Sequence, residues 1–102
     1  MVLKRDGRHE ELSREKLLSG IRKACQKRPV SPKAMEDLVD HIIASVTAKF
    51  ETEVPGDFIG TMVMNGLREI DSVAYVRFAS VYRRFQEATD FVSEVQRLEA
   101  TR

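Results

Sequence analysis

The fold is decided near the amino terminus, by the stretch that reads VLKRDGRHEELSREK over residues 2–16. Asp6-Gly7 is typical of a two-residue hairpin turn, because a type I′ turn requires positive φ and glycine adopts it at little cost. Ser13 is a typical helix N-cap, since its hydroxyl can accept a hydrogen bond from a backbone N–H of the first turn. The stretch therefore predicts a β-hairpin over about residues 2–12 that leads directly into a helix.

The same stretch brings positive charges together. They lie on Lys4, Arg5, Arg8, Arg14 and Lys16. Fixed cations beside the backbone N–H groups of a helix start suit a phosphate chain. Lys16 opposes the helix dipole in the first turn, and an anion bound there would offset that cost. The alternative is a solvated strand edge, since edge strands are often protected by charge. The sequence leaves both interpretations open.

Length and composition predict one globular domain over residues 1–102. Apolar residues make up 42% of the chain and charged residues 32%, which is typical of a folded, soluble domain. Because no apolar run could span a bilayer and no signal peptide is evident, we expect a cytoplasmic protein without membrane contact. The single cysteine, Cys25, excludes an intrachain disulfide and a cysteine-based zinc site, and its helical position predicts a buried core thiol.

Charge is distributed unevenly, although the net charge is only +1. Residues 1–33 contain ten Lys and Arg but four Asp and Glu, whereas residues 34–102 contain seven basic and twelve acidic residues. A basic first third suggests an anionic ligand held at one end of the domain. It equally suggests charge pairing between the two parts of the chain, and both explanations stay open.

Hydrophobic periodicity predicts two helices behind the hairpin. The first should run from about Arg14 to Lys27 and end before Pro29. Its apolar face comprises Leu17, Leu18, Ile21, Ala24 and Cys25. Ser31 and Pro32 are a suitable N-cap and first helical residue for the second helix. The apolar stripe of that second helix comprises Met35, Leu38, Val39, Ile42, Ile43 and Val46.

A third strand is expected over residues 50–54, where β-forming residues alternate with polar ones before Pro55-Gly56. The helix that follows carries Gly66 in its interior, which suggests close packing against another helix. Its predicted buried side comprises Ile59, Met62, Val63, Gly66, Leu67 and Ile70.

Two further helices are expected after a turn at Asp71-Ser72. The helix over residues 73–85 is apolar on nearly all sides, so we expect it at the centre of the bundle. Residues 87–102 predict a final amphipathic helix that either covers the core or contacts a second copy of the chain.

Arg77 lies within the apolar helix, and a buried guanidinium there would need a carboxylate or phosphate partner. An acidic partner such as Glu10 or Glu69 is the simpler expectation, and a phosphate is the alternative. The two histidines, His9 and His41, have no second ligand residue at metal-site spacing. No metal site is therefore predicted.

Several motifs resemble a known family. The run VLKRDG at residues 2–7, Glu10 and the pattern LSxxKL at residues 12–17 are similar to the opening of the ATP-cone. The ATP-cone is the regulatory nucleotide-binding domain at the front of many ribonucleotide reductases. The later motifs resemble the ATP-cone of the bacterial transcriptional repressor of ribonucleotide-reductase genes. These are KRPVS at residues 27–31, EVP at 53–55, IGxxVMxxL at 59–67 and VAYVRFASVYR at 73–83.

The resemblance implies an α+β fold, in which a small bundle of about four or five helices is capped by a three-stranded β-sheet. It implies allosteric sensing of ATP or dATP, with Mg²⁺ as an accompanying ion, and no catalysis. Val2 and Leu17 would flank the adenine, and Glu10 would hold the ribose or base side. The phosphates would be held by Lys4, Arg5 and Lys16. A site lining or subunit contact would involve Arg77 and Tyr82.

Two features depart from the repressor pattern. The repressor family carries an amino-terminal zinc ribbon with four cysteines that binds DNA, whereas this chain starts at the cone and contains only Cys25. The chain is then either a fragment of such a repressor or an isolated cone, and both stay open. We expect no zinc in this chain, and DNA contact only through a zinc-ribbon domain that is not present here. Gly56 stands where the pattern more often has a small hydroxyl residue, so a hydrogen bond from that side chain is absent.

The leading expectation is a nucleotide-sensing module of a homo-oligomer, whose occupancy by ATP or dATP changes self-association in the repression of ribonucleotide-reductase genes. The alternative is a nucleic-acid-binding module that uses the basic hairpin, although the chain lacks a basic recognition helix with base-reading side chains. An enzyme is not expected, because the sequence offers no nucleophile–base pair, paired acids or P-loop.

Overall fold

The computed structural model describes residues 1–3 and 7–84. The elements in chain order are β1 (Val2–Leu3), β2 (His9–Glu10), α1 (Arg14–Ala24), α2 (Pro32–Lys49), β3 (Val54–Pro55) and α3 (Gly56–Ile70). A further helix, α4, occupies residues 72–84. The predicted α+β architecture of a helical bundle with a three-stranded sheet is confirmed. The final helix predicted over residues 87–102 lies outside the described residues.

The sheet has the strand order β2-β1-β3, so the first strand is the central one. β1 pairs antiparallel with β2, with Leu3 opposite His9, which confirms the hairpin. This register leaves residues 4–8 between the strands, so the connection is longer than the predicted two-residue turn. Gly7 has the positive φ, 88°, that the turn prediction required, while Asp6 lies outside the described residues.

The third strand was predicted over residues 50–54, and this placement was wrong. Strand β3 is Val54–Pro55, which runs parallel to β1. Phe50 cannot join the sheet because its backbone N–H completes helix α2 by donating to the Val46 carbonyl at 2.9 Å. The Val54 N–H donates to the Met1 carbonyl at 2.9 Å, and Pro55, which has no N–H, ends the strand.

Both predicted serine caps are confirmed. Ser13 accepts a hydrogen bond from the Lys16 N–H at 3.2 Å, and Ser31 accepts one from the Ala34 N–H at 3.1 Å. The predicted end of the first helix at Lys27 was wrong, because α1 ends at Ala24 with Cys25 as its C-cap. Lys27 has a φ of 60°, in the left-handed region, where an α-helix cannot continue.

The core lies between α1, α2 and α3, beneath the inner face of the sheet. Its buried apolar residues are Val2, Leu18, Ile21, Ala24, Cys25, Leu38, Val39, Ile42, Val46, Val54, Val63, Leu67 and Ala74. The predicted buried thiol of Cys25 is confirmed. Close packing at Gly66 is also confirmed, since a Cβ there would lie 3.1 Å from Leu38 Cδ2. Ile70, predicted to be buried, is 37% exposed at the end of α3.

Helix α4 is not central, contrary to the prediction from its composition. Val76 and Val81 are 58% and 68% exposed, and Val73 lies beside them. Within residues 72–84 only Ala74 is fully buried. The helix therefore packs by one side only, and we call Val73, Val76 and Val81 its outer face. The described residues contain no helix that combines the length and the hydrophobicity of a membrane span.

Asp71 fixes the start of α4 and ties it to the segment after α1. Its Oδ2 accepts from the Ala74 N–H at 3.0 Å, as expected for an N-cap. The Arg28 guanidinium donates from Nε to Oδ2 at 2.9 Å and from Nη2 to Oδ1 at 3.1 Å. The Arg28 hydrogen bonds, with the Ala74 N–H, hold the pKa of the Asp71 carboxyl below its usual value.

This pair predicts a specific loss of stability in acid. Because the pKa of Asp71 is lower in the folded chain than in the unfolded one, its ionised form stabilises the fold above the unfolded value of about 3.9. That contribution is lost as the pH falls through the lower, folded value. Asp71→Asn keeps an N-cap side chain but not the charge. We expect the free energy of unfolding, measured by urea titration, to fall less steeply below pH 4 in this variant. An equal difference between variant and wild type at pH 3 and pH 7 would contradict the prediction.

Candidate functional site

A cleft of about 250 Å³ lies where β1, β2 and the amino end of α1 meet α3 and α4. The residues that line it are Val2, Glu10, Glu11, Leu12, Ser13, Lys16, Leu17, Gly20, Gly56, Ile59 and Phe78. They come from both strands of the hairpin and from three helices. The cleft therefore exists only in the folded chain.

The lining is divided into an apolar part and a polar part. Leu17, Ile59 and Phe78 supply apolar walls that suit a flat ring system. Ser13 and Lys16 place the amino end of α1 at the cleft, and this end of a helix favours anions. The cleft can therefore take a ligand with an apolar planar part and a negatively charged part.

The structure brings together four of the residues that the resemblance assigned to a nucleotide. Val2, Glu10, Lys16 and Leu17 all line this one cleft. Lys16 is exposed, and no described residue forms an ion pair with its ammonium group. Two other predicted phosphate contacts, Lys4 and Arg5, lie outside the described residues, in the connection between β1 and β2.

Sequence reasoning missed the walls that α3 and α4 contribute, chiefly Ile59 and Phe78. Periodicity identified both as apolar helix residues but could not tell a core position from a cleft wall. Sequence reasoning also missed Gly20, although a glycine in the interior of a predicted helix is itself a signal. Glycine in a helix interior is about 1 kcal/mol less favourable than alanine, so it needs a reason.

Packing within the described structure does not supply that reason. A Cβ built on Gly20 meets nothing within 4 Å, and φ at this position is not in the left-handed region. Gly66, by contrast, is pressed against Leu38. Gly20 is among the residues that line the cleft, so the open space beside its backbone borders this cleft.

Arg77 is exposed and forms no ion pair with an acid among the described residues, so the expected pairing with Glu10 or Glu69 was wrong. Its Nη1 donates to the backbone carbonyls of Ala24, at 3.3 Å, and Gln26, at 2.6 Å. It does not line the cleft described above. It borders a neighbouring one of about 340 Å³, which shares Gly20 and Phe78 with the first and also includes Lys23.

Tyr82 joins α4 to α3. Its hydroxyl donates to Asp57 Oδ1 at 3.0 Å, and its ring lies against Gly60, where a Cβ would be 2.7 Å from the ring carbon Cζ. The ring also stacks on Phe78, with centroids 6.2 Å apart and 13° between the planes. Tyr82 thus supports the Phe78 wall from behind and is not itself among the residues that line the cleft.

The expected charge pairing between the basic first third and the rest of the chain is present. Arg14 donates to Asp40 Oδ1 from Nε at 3.1 Å and from Nη2 at 2.9 Å, which turns it towards α2. Arg28 pairs with Asp71, and Lys33 pairs with Asp37 at 3.1 Å. Part of the basic charge is therefore used within the fold, while Lys16 remains at the cleft.

Comparison with known proteins agrees with the resemblance that the sequence motifs suggested. Residues 1–88 match the family described as ATP cone domain. The chain is 53% identical over 98 residues to the Transcriptional repressor NrdR of Geobacter sulfurreducens, covering 96% of this chain and 65% of that protein. It is 50% identical over 98 residues to the protein of the same name from Pelotomaculum thermopropionicum, covering 96% of this chain and 59% of the relative. The chain thus spans less than two thirds of the length of these relatives. Their names describe repressors and not enzymes, which agrees with the expectation of a non-catalytic domain.

Proposed function

The chain belongs to the ATP-cone family, and from this premise we propose that its cleft binds ATP or dATP as a regulatory ligand. The observation that carries the proposal is the meeting of Val2, Glu10, Lys16 and Leu17 around one cleft. These residues come from three separate elements. The resemblance assigned all four to the nucleotide.

The chemistry of the lining fits the parts of an adenine nucleotide. The adenine would lie between Leu17 and the walls formed by Ile59 and Phe78, where burial of its faces is favourable. The Glu10 carboxylate accepts hydrogen bonds, as a ribose hydroxyl or the adenine amino group requires. The phosphates would extend towards Lys16 and the amino end of α1. Lys4 and Arg5 would add charge from the connection, and Mg²⁺ would accompany the phosphates.

Regulation would follow from linkage between ligand binding and assembly. A nucleotide that binds one arrangement of subunits better than another shifts the population towards that arrangement. The apolar outer face of α4 supports a role in contact between copies, since exposed apolar patches commonly mark interfaces. We propose that ATP and dATP differ in the assembly that they favour.

The relatives suggest what this assembly would control. We propose that the chain is the sensor part of a cytoplasmic repressor of ribonucleotide-reductase genes, by analogy with the proteins named Transcriptional repressor NrdR. DNA contact would come from a zinc-ribbon domain outside these 102 residues. ATP and dATP are suitable signals because reductases produce deoxynucleotides.

The site assignment predicts loss of affinity when its lysines are removed. Lys4→Ala with Lys16→Ala should weaken ATP binding at least about tenfold, since charge-assisted hydrogen bonds contribute about 1.5–3 kcal/mol each. Isothermal titration calorimetry measures the change. Arg22→Ala with Lys33→Ala is the matched control, because it removes two exposed cations away from the cleft. Equal affinities in the wild type and the lysine variant would remove the assignment.

The alternative of a nucleic-acid-binding module makes a different prediction. If the basic first third binds a phosphate backbone, the chain should be retained on DNA without nucleotide, and retention should fall steeply with salt. The pairing of Arg14, Arg28 and Lys33 with acidic residues argues against this. Retention at low salt that is lost in Arg22→Ala with Lys23→Ala, two exposed cations on α1, would favour it.

A further inference from the structure

Helix α4 is attached to the bundle by one apolar side and by several polar contacts. Its outer face is exposed, and within residues 72–84 only Ala74 is fully buried. Ala74, Tyr75 and Phe78 pack against the core, and polar contacts add to this attachment. Asp71 binds Arg28 at the start of the helix, Tyr82 binds Asp57 near residue 84, and Arg77 lies between these two points.

Arg77 attaches α4 to the carboxyl end of α1. The last carbonyls of a helix lack intrahelical partners, and the helix dipole makes them attractive to a cation. Because α1 ends at Ala24, the carbonyls of Ala24 and Gln26 are available to the Arg77 guanidinium, at 3.3 Å and 2.6 Å. One nitrogen, Nη1, donates to both, so these bonds fix α4 relative to α1.

The next residue, Phe78, is the part of α4 that reaches the cleft. It lines the same cleft as Leu17 and Gly20 of α1, and its ring stacks on Tyr82. The distance between α1 and the Phe78 ring sets the width of the proposed adenine slot. The hydrogen bonds of Arg77 to the carbonyls of Ala24 and Gln26 join α4 directly to the carboxyl end of α1, one residue away from Phe78.

We infer, on the basis of the proposed function, that Arg77 is a positioning residue for the nucleotide cleft. It holds α4 against the carboxyl end of α1, so that Phe78 forms the wall against which the adenine packs. Arg77 acts through Phe78 and makes no contact with the phosphates. This role is distinct from direct binding of an anion in the neighbouring cleft that Arg77 and Lys23 border.

The two roles predict different ligand profiles. A positioning role affects contacts with the base. Arg77→Ala should therefore weaken the binding of adenosine and the binding of ATP by the same factor, about tenfold. If Arg77 contacted the phosphates directly, Arg77→Ala would weaken the binding of ATP alone and leave the affinity for adenosine unchanged. Calorimetry with both ligands on the full 102-residue chain measures the two factors.

Arg77→Lys, which keeps a charged donor, should recover part of the lost affinity for both. Arg83→Ala, an exposed arginine on the same helix, should leave both affinities at the wild-type value.

A double-mutant cycle tests whether Arg77 acts through Phe78. Phe78→Ala should also weaken both ligands equally, and adding Arg77→Ala to it should have little further effect. Additive losses, or a loss confined to ATP, would overturn the inference even though the wild-type chain binds nucleotide. A folded wild-type chain that binds neither ligand would overturn both this inference and the proposed function. Circular dichroism and thermal melting verify that each variant is folded.

Discussion

Replacing Gly20 by leucine is expected to raise the stability of the chain and nearly abolish its binding of ATP. Leucine is about 1 kcal/mol more favourable than glycine in a helix interior, and a Cβ at this position meets nothing within 4 Å. The new side chain would occupy the cleft beside Leu17 and Phe78, where the adenine is proposed to lie. We expect affinity to fall by about a hundredfold, equivalent to about 2.7 kcal/mol.

This test is informative because Gly20→Leu should raise the stability of the chain and lower its affinity for ATP. Thermal melting should show a higher midpoint for Gly20→Leu, so a loss of binding could not be attributed to unfolding. Gly20→Ala should give the same gain in stability with a smaller loss of affinity, because a methyl group fills less of the cleft. Undiminished ATP affinity in Gly20→Leu would place the ligand elsewhere, whatever happens to the melting temperature.

Replacing Gly66 by valine is expected to destabilise the chain strongly and leave the cleft intact. Helix propensity alone would predict a gain at this position as well. A Cβ on Gly66, however, would collide with the Leu38 side chain, whose Cγ lies at 3.2 Å from its position. Overpacking of this kind typically costs about 1–3 kcal/mol, and the branched side chain of valine places the effect near the upper end.

Urea titration of Gly66→Val measures the loss directly, and Gly66→Ala should lose less. Leu38→Ala is the informative companion, because it removes the colliding side chain. The penalty of Gly66→Val should shrink in that background, although Leu38→Ala itself costs stability by opening a cavity. An unchanged penalty would mean that the strain arises elsewhere. Nucleotide affinity of the folded fraction should stay at the wild-type value.

The comparison of these two glycines shows what sequence alone can and cannot provide. Both interrupt an apolar helical pattern, and propensity assigns both the same cost. Only the three-dimensional neighbours reveal that one contacts Leu38 and the other faces open space. The same limit explains the wrong placement of α4. Its apolar composition predicted burial, but composition does not show how many other elements pack around a helix. Val76 and Val81 are exposed.

Local features were predicted more accurately because they depend on adjacent residues. The caps at Ser13 and Ser31 and the positive φ of Gly7 follow from side-chain chemistry within a few positions. The parallel pairing of β1 with β3 joins residues far apart in the chain and could not be read from periodicity. In the candidate site, the resemblance supplied the residues of the hairpin and α1. The walls from Ile59 and Phe78 required the tertiary structure.

The central position of β1 has a consequence for the order of folding. Val2 pairs with Val54, and the chain between them contains both α1 and α2. Closing so long a loop costs entropy, so we expect the helices to dock first and the sheet to close late. During synthesis, Val2 cannot pair with Val54 until residues beyond Val54 have left the ribosome. The proposed nucleotide cleft would then form only after the helices around it, so a nucleotide bound there would stabilise only chains that have closed the sheet.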